Sequence, residues 1–239
     1  MDNKISVVIR TYNEEKHIGE VLESLKKQTY KNYEIVIVDS ESTDRTVEIS
    51  KKFDTKLVFI TKKEFNYSYA SNVGVANSLG DIVCFLSGHS VPVHDDYLLN
   101  INNIFQDKKI GACYGDVIAL PDGSIYEKIY NYLGYLKNSI KGLDNQVKHE
   151  TTIHPGIFSC SNAAARKNLL VKHPFQVALG KGGEDVEVAY RIIQDGYVIA
   201  KVPRLLVKHS HGQNLLAFIK QLKSWRIMYR EVLSFIDGD

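Results

Sequence analysis

Cysteine is scarce in this 239-residue chain, which has three copies, at Cys84, Cys113 and Cys160. The three lie far apart and include no Cys-x-x-Cys pair. An odd number of separated cysteines argues against a disulfide framework and against a structural zinc site. We therefore expect reduced thiols and a cytosolic setting.

Long apolar runs and a strong charge imbalance are also missing. No apolar run approaches the roughly 18 residues that a helix needs to cross a bilayer. A strand pattern begins at Ile5, so we expect no signal peptide. The net charge of +2 gives no basis for broad nucleic-acid binding, and 44% hydrophobic with 24% charged residues is an ordinary globular composition.

Two glycine-rich signatures of nucleotide-binding proteins are absent. No Gly-x-Gly-x-x-Gly follows the first strand and there is no Walker loop, which argues against a dinucleotide dehydrogenase and a P-loop enzyme. The first strand runs instead into Arg-Thr-Tyr-Asn-Glu-Glu, whose amides and aromatic ring could hold a nucleobase. Asp39 could accept a hydrogen bond from a base N–H, although a loop carboxylate or helix cap is an equally supported interpretation.

Apolar periodicity in the first half predicts alternating strands and helices. The predicted strands are 5–9, 34–38, 57–60 and 81–86, and the predicted helices start near Asn13 and cover 43–53 and 65–78. Such repeats indicate a parallel sheet with helices on both faces. Ligands bind at the carboxyl ends of strands in these sheets, where residues 10–11, 39–40 and 87–89 would lie.

The second half is less regular. It predicts helices at 95–105, 183–195 and 214–235, strands at 110–118 and 157–161, an extended stretch at 197–207, a polar loop at 142–156, and a tyrosine-rich stretch at 124–140. No linker or repeat divides the chain, so we expect one domain, 1–239.

Glu184 and Asp185 follow a glycine stretch and begin a helix pattern. Negative charge is favourable at a helix N-terminus, so a helix cap is the simplest interpretation. A carboxylate on such a loop is also well placed to take a proton from a substrate hydroxyl.

Four motifs in order carry a resemblance to a known family. They are Ser-Val-Val-Ile-Arg-Thr-Tyr-Asn-Glu-Glu (6–15), Glu-Ile-Val-Ile-Val-Asp-Ser-Glu-Ser-Thr-Asp-Arg-Thr (34–46), Gly-Asp-Ile-Val-Cys-Phe-Leu (80–86) with Pro92, and Gly-Glu-Asp-Val-Glu (183–187). Over roughly residues 5–212 the chain resembles family 2 glycosyltransferases. The resemblance implies a GT-A fold, which is α/β with a Rossmann-like, mostly parallel central sheet flanked by helices and a small antiparallel acceptor-side portion.

The resemblance also implies an activity: a sugar passes from a nucleotide-sugar to an acceptor hydroxyl with inversion at the anomeric carbon. The nucleotide-sugar half would be 1–115, the acceptor half 116–212, and an amphipathic C-terminal helix 213–239. The donor would be a UDP-sugar or dTDP-rhamnose, and the acceptor a saccharide or a lipid-linked oligosaccharide in bacterial surface polysaccharide synthesis, such as capsule or O-antigen.

Residue roles follow from the matched motifs. By resemblance, Asp185 is the general base, and Glu184 beside it shapes the acceptor pocket. A like-charged neighbour raises the pKa of a carboxyl group. The residues that the resemblance assigns to nucleotide-sugar binding are Thr11, Tyr12, Glu14, Asp39, Asn72, Ser87, Gly88 and His89.

One departure concerns the metal. Where the family has Asp-x-Asp, this chain has Ser87, Gly88 and His89. Mg²⁺ prefers oxygen ligands, whereas imidazole suits Mn²⁺ or softer cations better. By resemblance, His209 or His211 would join His89 around Mn²⁺ or Mg²⁺; a loop histidine without a ligand role, or protonated histidines that neutralise the diphosphate, are the alternatives.

The missing Asp-x-Asp also favours a second function class, a non-catalytic nucleotide- or saccharide-binding relative that acts in polysaccharide assembly. A nucleotidyltransferase would need a glycine-rich basic loop after the first strand, which residues 10–15 do not supply. The basic amphipathic C-terminal stretch leaves two interpretations open. It makes peripheral contact with the inner face of the plasma membrane, or it packs on the core or on a second subunit of a homodimer.

Overall fold

The computed structural model describes residues 2–140, 146–179 and 182–238, with the backbone alone for 135–140. The strands are β1 (Ile5–Thr11), β2 (Tyr33–Asp39), β3 (Lys56–Phe59), β4 (Ile82–Ser87), β5 (Val91–Pro92), β6 (Ile110–Ile118), β7 (Lys148–Glu150), β8 (Asn162–Arg166) and β9 (Val198–Lys208). The helices are α1 (Ile18–Lys26), α2 (Thr46–Ser50), α3 (Tyr67–Ala76), α4 (Tyr97–Ile104), α5 (Ile125–Ile140), α6 (Lys167–Lys172), α7 (Glu184–Gln194) and α8 (Leu215–Asp237).

The strands of the described residues form one nine-stranded sheet, in the order β3-β2-β1-β4-β8-β6-β9-β5, with β7 paired to β9. The first four are parallel, β8 is antiparallel to both β4 and β6, and β6 and β9 are parallel. Short β5 and β7 run antiparallel to β9. The predicted mostly parallel sheet with an antiparallel portion is therefore confirmed. Because β6 crosses the proposed boundary at 115/116, one sheet serves both halves.

Hydrophobic layers cover both faces of the sheet. Ile5, Val7 and Ile9 pack with α1 and α4, whereas Val8 faces the opposite layer with α3, α6 and α7. A strand buried on both faces is largely apolar, which explains Ile5, Val7, Val8 and Ile9 of β1; the buried Ser6 hydroxyl donates to the Glu34 carboxylate at 2.5 Å.

The predicted strand at 157–161 is wrong. Ile157 and Phe158 are fully buried, but they lie in a turn, and Phe158 has a left-handed φ of 56°. The strand is the next segment, β8, whose Asn-Ala-Ala-Ala-Arg sequence has few residues that favour β structure. Its pairing between β4 and β6 imposes the extended conformation.

Other differences are smaller. The helix expected at 43–53 is limited to the five residues of α2, and sequence reasoning missed β5 and α6. The polar stretch 142–156 contains β7, and its residues 142–145 lie outside the described part of the chain.

Candidate active site

The carboxyl ends of β1, β2 and β4 meet at one edge of the sheet, as predicted. The strand register places Thr11 beside Asp39 and Arg10 beside Ser87. Asp39 is 1% exposed and accepts hydrogen bonds from the Thr11 hydroxyl at 2.8 Å and from the Ser42 amide and hydroxyl at 2.9 and 2.6 Å. Asp39 therefore fixes the loop after β2, and its contact with a nucleobase stays a prediction.

Tyr12 and Asn72 differ in how far their side chains are free to contact a nucleotide. The Tyr12 ring is 40% exposed, and the Lys62 ammonium donates to its hydroxyl at 2.8 Å. The side-chain Nδ2 of Asn72 donates to the Phe175 carbonyl, and its Oδ1 accepts from the Phe175 backbone amide, both at 2.9 Å. Tyr12 offers an accessible ring for a base, whereas Asn72 ties α3 to residue 175, an arrangement that gives its predicted ribose or pyrophosphate contact no support.

Three histidines form a cluster at the same edge. Strand β5 pairs with the end of β9, and this pairing brings the residues after β4 next to those after β9. The ring centroids of His89 and His209 are 4.5 Å apart, and that of His211 is 5.2 Å from His89 and 4.9 Å from His209. One ligand nitrogen from each lies within 4.8 Å of the others. His89, His209 and His211, which the sequence analysis grouped around a cation, thus lie together in the structure.

Glu14 contacts this cluster. Its carboxylate lies 2.9 Å from Nδ1 of His89, and Nε2 of His89 is buried without a hydrogen-bond partner among the described residues. A Cβ atom on Gly88 would come within 2.5 Å of the Glu14 Cγ, so the glycine permits this close approach. The structure places Glu14 and Gly88 around His89, and the base and ribose contact expected for Glu14 stays a prediction.

The surroundings of the other two histidines favour neutral rings. Burial, followed by the neighbouring His89 and His211, holds the pKa of His209 well below its ordinary value. Partial desolvation beside the cluster, followed by the charge of His89, lowers the pKa of His211, whose side chain is still exposed at the surface. Neutral imidazole is the form that binds metals.

Two polar residues that the sequence analysis missed support the cluster. The Ser90 hydroxyl lies 2.9 Å from Nδ1 of His209. Glu127 is buried, accepts from the amide and hydroxyl of Ser124, and accepts from the His211 amide at 2.7 Å. The Ser-x-x-Glu spacing of a capping box could have located Glu127, although it says nothing about His211.

The predicted acid pair begins α7. Gly183 precedes it with a left-handed φ of 90°, and the Val186 amide donates to the Asp185 carboxylate at 2.8 Å. Burial, followed by the charge of Glu184, raises the pKa of Asp185 to about 7. Burial also raises the pKa of Glu184, which is 4% exposed. Asp185 therefore has the pKa that suits a general base near neutral pH.

Arg10 joins the acid pair to the sheet edge. Its guanidinium lies 3.7 Å from the Glu184 carboxylate, donates to the Tyr67 carbonyl at 3.3 Å and to the Ser71 hydroxyl at 3.2 Å, and lies over the Tyr67 ring. The Gly88 amide donates to the Arg10 carbonyl at 3.2 Å. Arg10 thus links the acid pair to the segment that carries His89. Its position at the end of β1 was predicted, but its partner was not.

The family model for Glycosyl transferase family 2 matches residues 6–172. The chain belongs to glycosyl transferase family 2. It is 29% identical to the O-antigen chain rhamnosyltransferase RfbN of Salmonella typhimurium and 30% identical to the O-antigen chain rhamnosyltransferase WbaN of Salmonella anatum, over 87% of this chain in each case. The chain spans about two thirds of these relatives, 67% and 66% of their lengths.

Solved structures confirm the GT-A fold. The mannosyltransferase PcManGT of Pyrobaculum calidifontis, in complex with GDP-Man and Mn²⁺, aligns with a TM-score of 0.69 at 23% identity, over 98% of this chain and 62% of that chain. Glucosyl-3-phosphoglycerate synthase of Mycobacterium tuberculosis, in complex with UDP, aligns with a TM-score of 0.65 at 22% identity, over 97% of this chain and 79% of that chain.

Proposed function

We propose that this glycosyltransferase family member is an inverting enzyme in which Asp185 deprotonates the acceptor hydroxyl. The observation that carries the proposal is the shared edge: an acid with a pKa of about 7 is linked through Glu184 and Arg10 to the segment that bears His89. The acceptor oxygen, once deprotonated, attacks the anomeric carbon, the bond to the nucleoside diphosphate breaks, and the proton stays on Asp185. Direct displacement inverts the anomeric configuration.

The histidine cluster supports a divalent cation at the diphosphate. Three imidazole nitrogens suit Mn²⁺ or Zn²⁺ better than Mg²⁺, which prefers oxygen ligands. One of them, the buried Nε2 of His89, has no hydrogen-bond partner among the residues that the structure describes. When bound, such an ion would stabilise the negative charge of the leaving diphosphate. His89, His209 and His211 would hold it, and Glu14 would orient His89.

The rhamnosyltransferase relatives favour a deoxyhexose donor such as dTDP-rhamnose, with UDP-sugars as the alternative, and a saccharide or lipid-linked acceptor in surface polysaccharide synthesis. The free, buried cysteines Cys84, Cys113 and Cys160 support a reducing, cytoplasmic location. Because the two halves share β6, we also propose that they act as one catalytic domain.

Donor hydrolysis tests the catalytic proposal. We expect the protein to release dTDP or UDP slowly from a suitable nucleotide-sugar. Asp185→Asn should reduce turnover about 10²- to 10⁴-fold, the usual contribution of a general base, and leave nucleotide affinity nearly unchanged. Asp95→Asn, which neutralises an exposed carboxylate, serves as the control. Equal turnover by the Asp185 variant and the wild type would remove Asp185 from its role, and binding without turnover would favour the non-catalytic relative.

Metal binding has a readout that does not depend on turnover. Titration of the protein with Mn²⁺, followed by electron paramagnetic resonance, should show one site that His89→Ala and His209→Ala each weaken. His149→Ala, which removes an exposed histidine on β7, should bind Mn²⁺ as the wild type does. If all three variants bind alike, the ion lies elsewhere or is not required.

A further inference from the structure

Helices α5 and α8 lie beside each other, and both expose large apolar side chains. On α8 the most exposed are Leu216 at 79% and Ile227 at 57%, with Leu215, Ile219 and Trp225 also exposed. On α5 the exposed ones are Ile125, Tyr126, Ile129, Tyr130, Tyr132 and Leu133. The Tyr130 ring packs edge-on against the Phe218 ring, with centroids 5.6 Å apart, so α5 lies beside α8. We call their combined surface the α5–α8 face. Contiguous exposed apolar surface marks an interaction site.

The apolar residues of α8 divide between two sides of the helix. Phe218 and Val232 are buried, and the Tyr229 hydroxyl donates to the Ile153 carbonyl at 3.1 Å, so this side packs on the protein. At 100° per residue, Leu216 and Ile227 lie on a different side, together with basic residues. Core packing therefore accounts for the side of α8 that carries Phe218 and Val232. It does not account for the side that carries Leu216 and Ile227.

Charge identifies the kind of partner. The segment 215–230 contains Lys220, Lys223, Arg226 and Arg230 and no acidic residue. All four are exposed, and none forms a salt bridge with another described residue. They are interleaved with the apolar side chains of the same surface. Lysine and arginine can bury their aliphatic stems along an apolar surface while their charged ends reach outward to phosphate groups.

We propose that the α5–α8 face lies on an anionic lipid bilayer. The apolar side chains would enter the boundary between headgroups and acyl chains, and the basic residues would contact lipid phosphates. Exposed Tyr132 of α5 suits the same boundary, where tyrosine is enriched. The attachment is peripheral: no helix among the described residues is long and apolar enough to cross a membrane.

The opposite side of α8 contacts the loop before the acid pair. A Cβ atom on Gly182 has no room beside the Met228 side chain, and one on Gly183 would come within 2.5 Å of Val232 Cγ2. Attachment through α8 therefore places the start of α7 at a fixed distance from the bilayer. The attachment itself does not depend on the proposed reaction.

Vesicle flotation of the full chain tests the proposal. We expect the protein to float with vesicles of phosphatidylcholine and phosphatidylglycerol in equal parts and to stay at the bottom with phosphatidylcholine alone. Raised salt should release it, because ions screen the attraction. Equal binding to both vesicle types, or binding to neither, would overturn the proposal.

Charge variants locate the surface. Lys223→Gln with Arg226→Gln should lower partitioning onto anionic vesicles about thirty-fold, since each basic residue near such a surface contributes about fivefold. Lys26→Gln with Lys27→Gln makes the same charge change at the C-terminal end of α1, which packs on the other face of the sheet, and should have little effect. Circular dichroism confirms that each variant is folded. Equal losses for the two pairs would mean that net charge, and not this face, is responsible.

Apolar variants separate a bilayer from a second copy of the chain. Leu216→Ser with Ile227→Ser should reduce flotation strongly, whereas Leu79→Ser, at a residue 71% exposed outside this face, should not. Light scattering of the same samples reports oligomeric state. If the double variant dissociates an oligomer and leaves flotation unchanged, the face joins two copies and the lipid proposal is wrong.

Discussion

Glu14 holds His89 by Nδ1 at 2.9 Å and leaves Nε2 of the same ring buried, with no hydrogen-bond partner in the described part of the chain. A carboxylate can only accept a hydrogen bond, so Nδ1 carries a proton and the lone pair of a neutral ring lies on Nε2. Carboxylates orient metal-binding histidines in this way. Glu14, which the resemblance assigned to the nucleotide, is thus placed to orient His89 at the proposed cation site.

The first prediction concerns this carboxylate. Glu14→Gln should lower Mn²⁺ affinity about 10- to 100-fold, the usual effect of losing such a partner, as measured by paramagnetic resonance titration. Glu15→Gln is the matched control, because the Glu15 carboxylate accepts from the Arg45 amide instead. Unchanged Mn²⁺ affinity in the Glu14 variant would show that His89 does not need this partner.

A second prediction uses the space around Gly88. Gly88→Ala should displace Glu14, since the new Cβ would lie 2.5 Å from the Glu14 Cγ, and Mn²⁺ affinity should fall as in Glu14→Gln. A Cβ atom on Gly134 of α5 meets no described atom within 4 Å, so Gly134→Ala should bind Mn²⁺ normally. The effects of the Gly88 and Glu14 variants should not add, because both act on one contact. If the losses of Mn²⁺ affinity were fully additive in the double variant, the two substitutions would not act through the same Glu14–His89 contact.

The third prediction is a pH profile. A general base works when it is deprotonated, so kcat/KM for sugar transfer should rise with pH around a midpoint near 7, the pKa that burial and Glu184 give Asp185. Activity that stays constant from pH 5 to pH 8 would argue against this base, provided that chemistry limits the rate.

Arg10 supplies the fourth prediction. Its positive charge favours the ionised acids, so Arg10→Gln should move the midpoint of the pH profile upward by about one unit. Arg10→Lys retains the charge and should keep the midpoint near that of the wild type. Arg10→Gln should also lower the melting temperature, since it leaves Glu184 buried without its ion-pair partner. A fall in stability without a shift of the midpoint would give Arg10 a structural role alone.

The fifth prediction concerns stability. The folded-state pKa of Asp185 is about 7, above its ordinary value of 3.8, so the folded state retains the proton between these values and loses stability as pH rises through that interval. Asp185→Asn removes the burial cost of the charge and keeps an oxygen for the Val186 amide. Its gain in melting temperature should be at least about 2 °C larger at pH 8 than at pH 5. Equal gains at both pH values would show that Asp185 is not a perturbed acid.

Local sequence determined much of this protein. The strands β1, β2 and β4 were predictable because a parallel strand covered on both faces is largely apolar, and each of the three has a run of apolar side chains. Their polar ends then had to meet at one edge, which placed Thr11, Asp39 and Ser87 correctly. The start of α7 at the acid pair followed from the glycine stretch and the helix pattern.

Tertiary structure decided what surrounds those residues. His89 and His209 are 120 positions apart in the chain, and only the antiparallel pairing of β5 with β9 makes them neighbours. No local sequence pattern indicates that Glu14 contacts His89 or that Arg10 pairs with Glu184. Nor does one indicate that the Asn72 side chain hydrogen-bonds to the backbone of Phe175. Strand β8 was also not predictable from local sequence, because its alanines adopt an extended conformation only through pairing with β4 and β6. Backbone preference and burial pattern act over a few residues, whereas the perturbed pKa values and the contacts of the candidate site depend on which distant elements pack together.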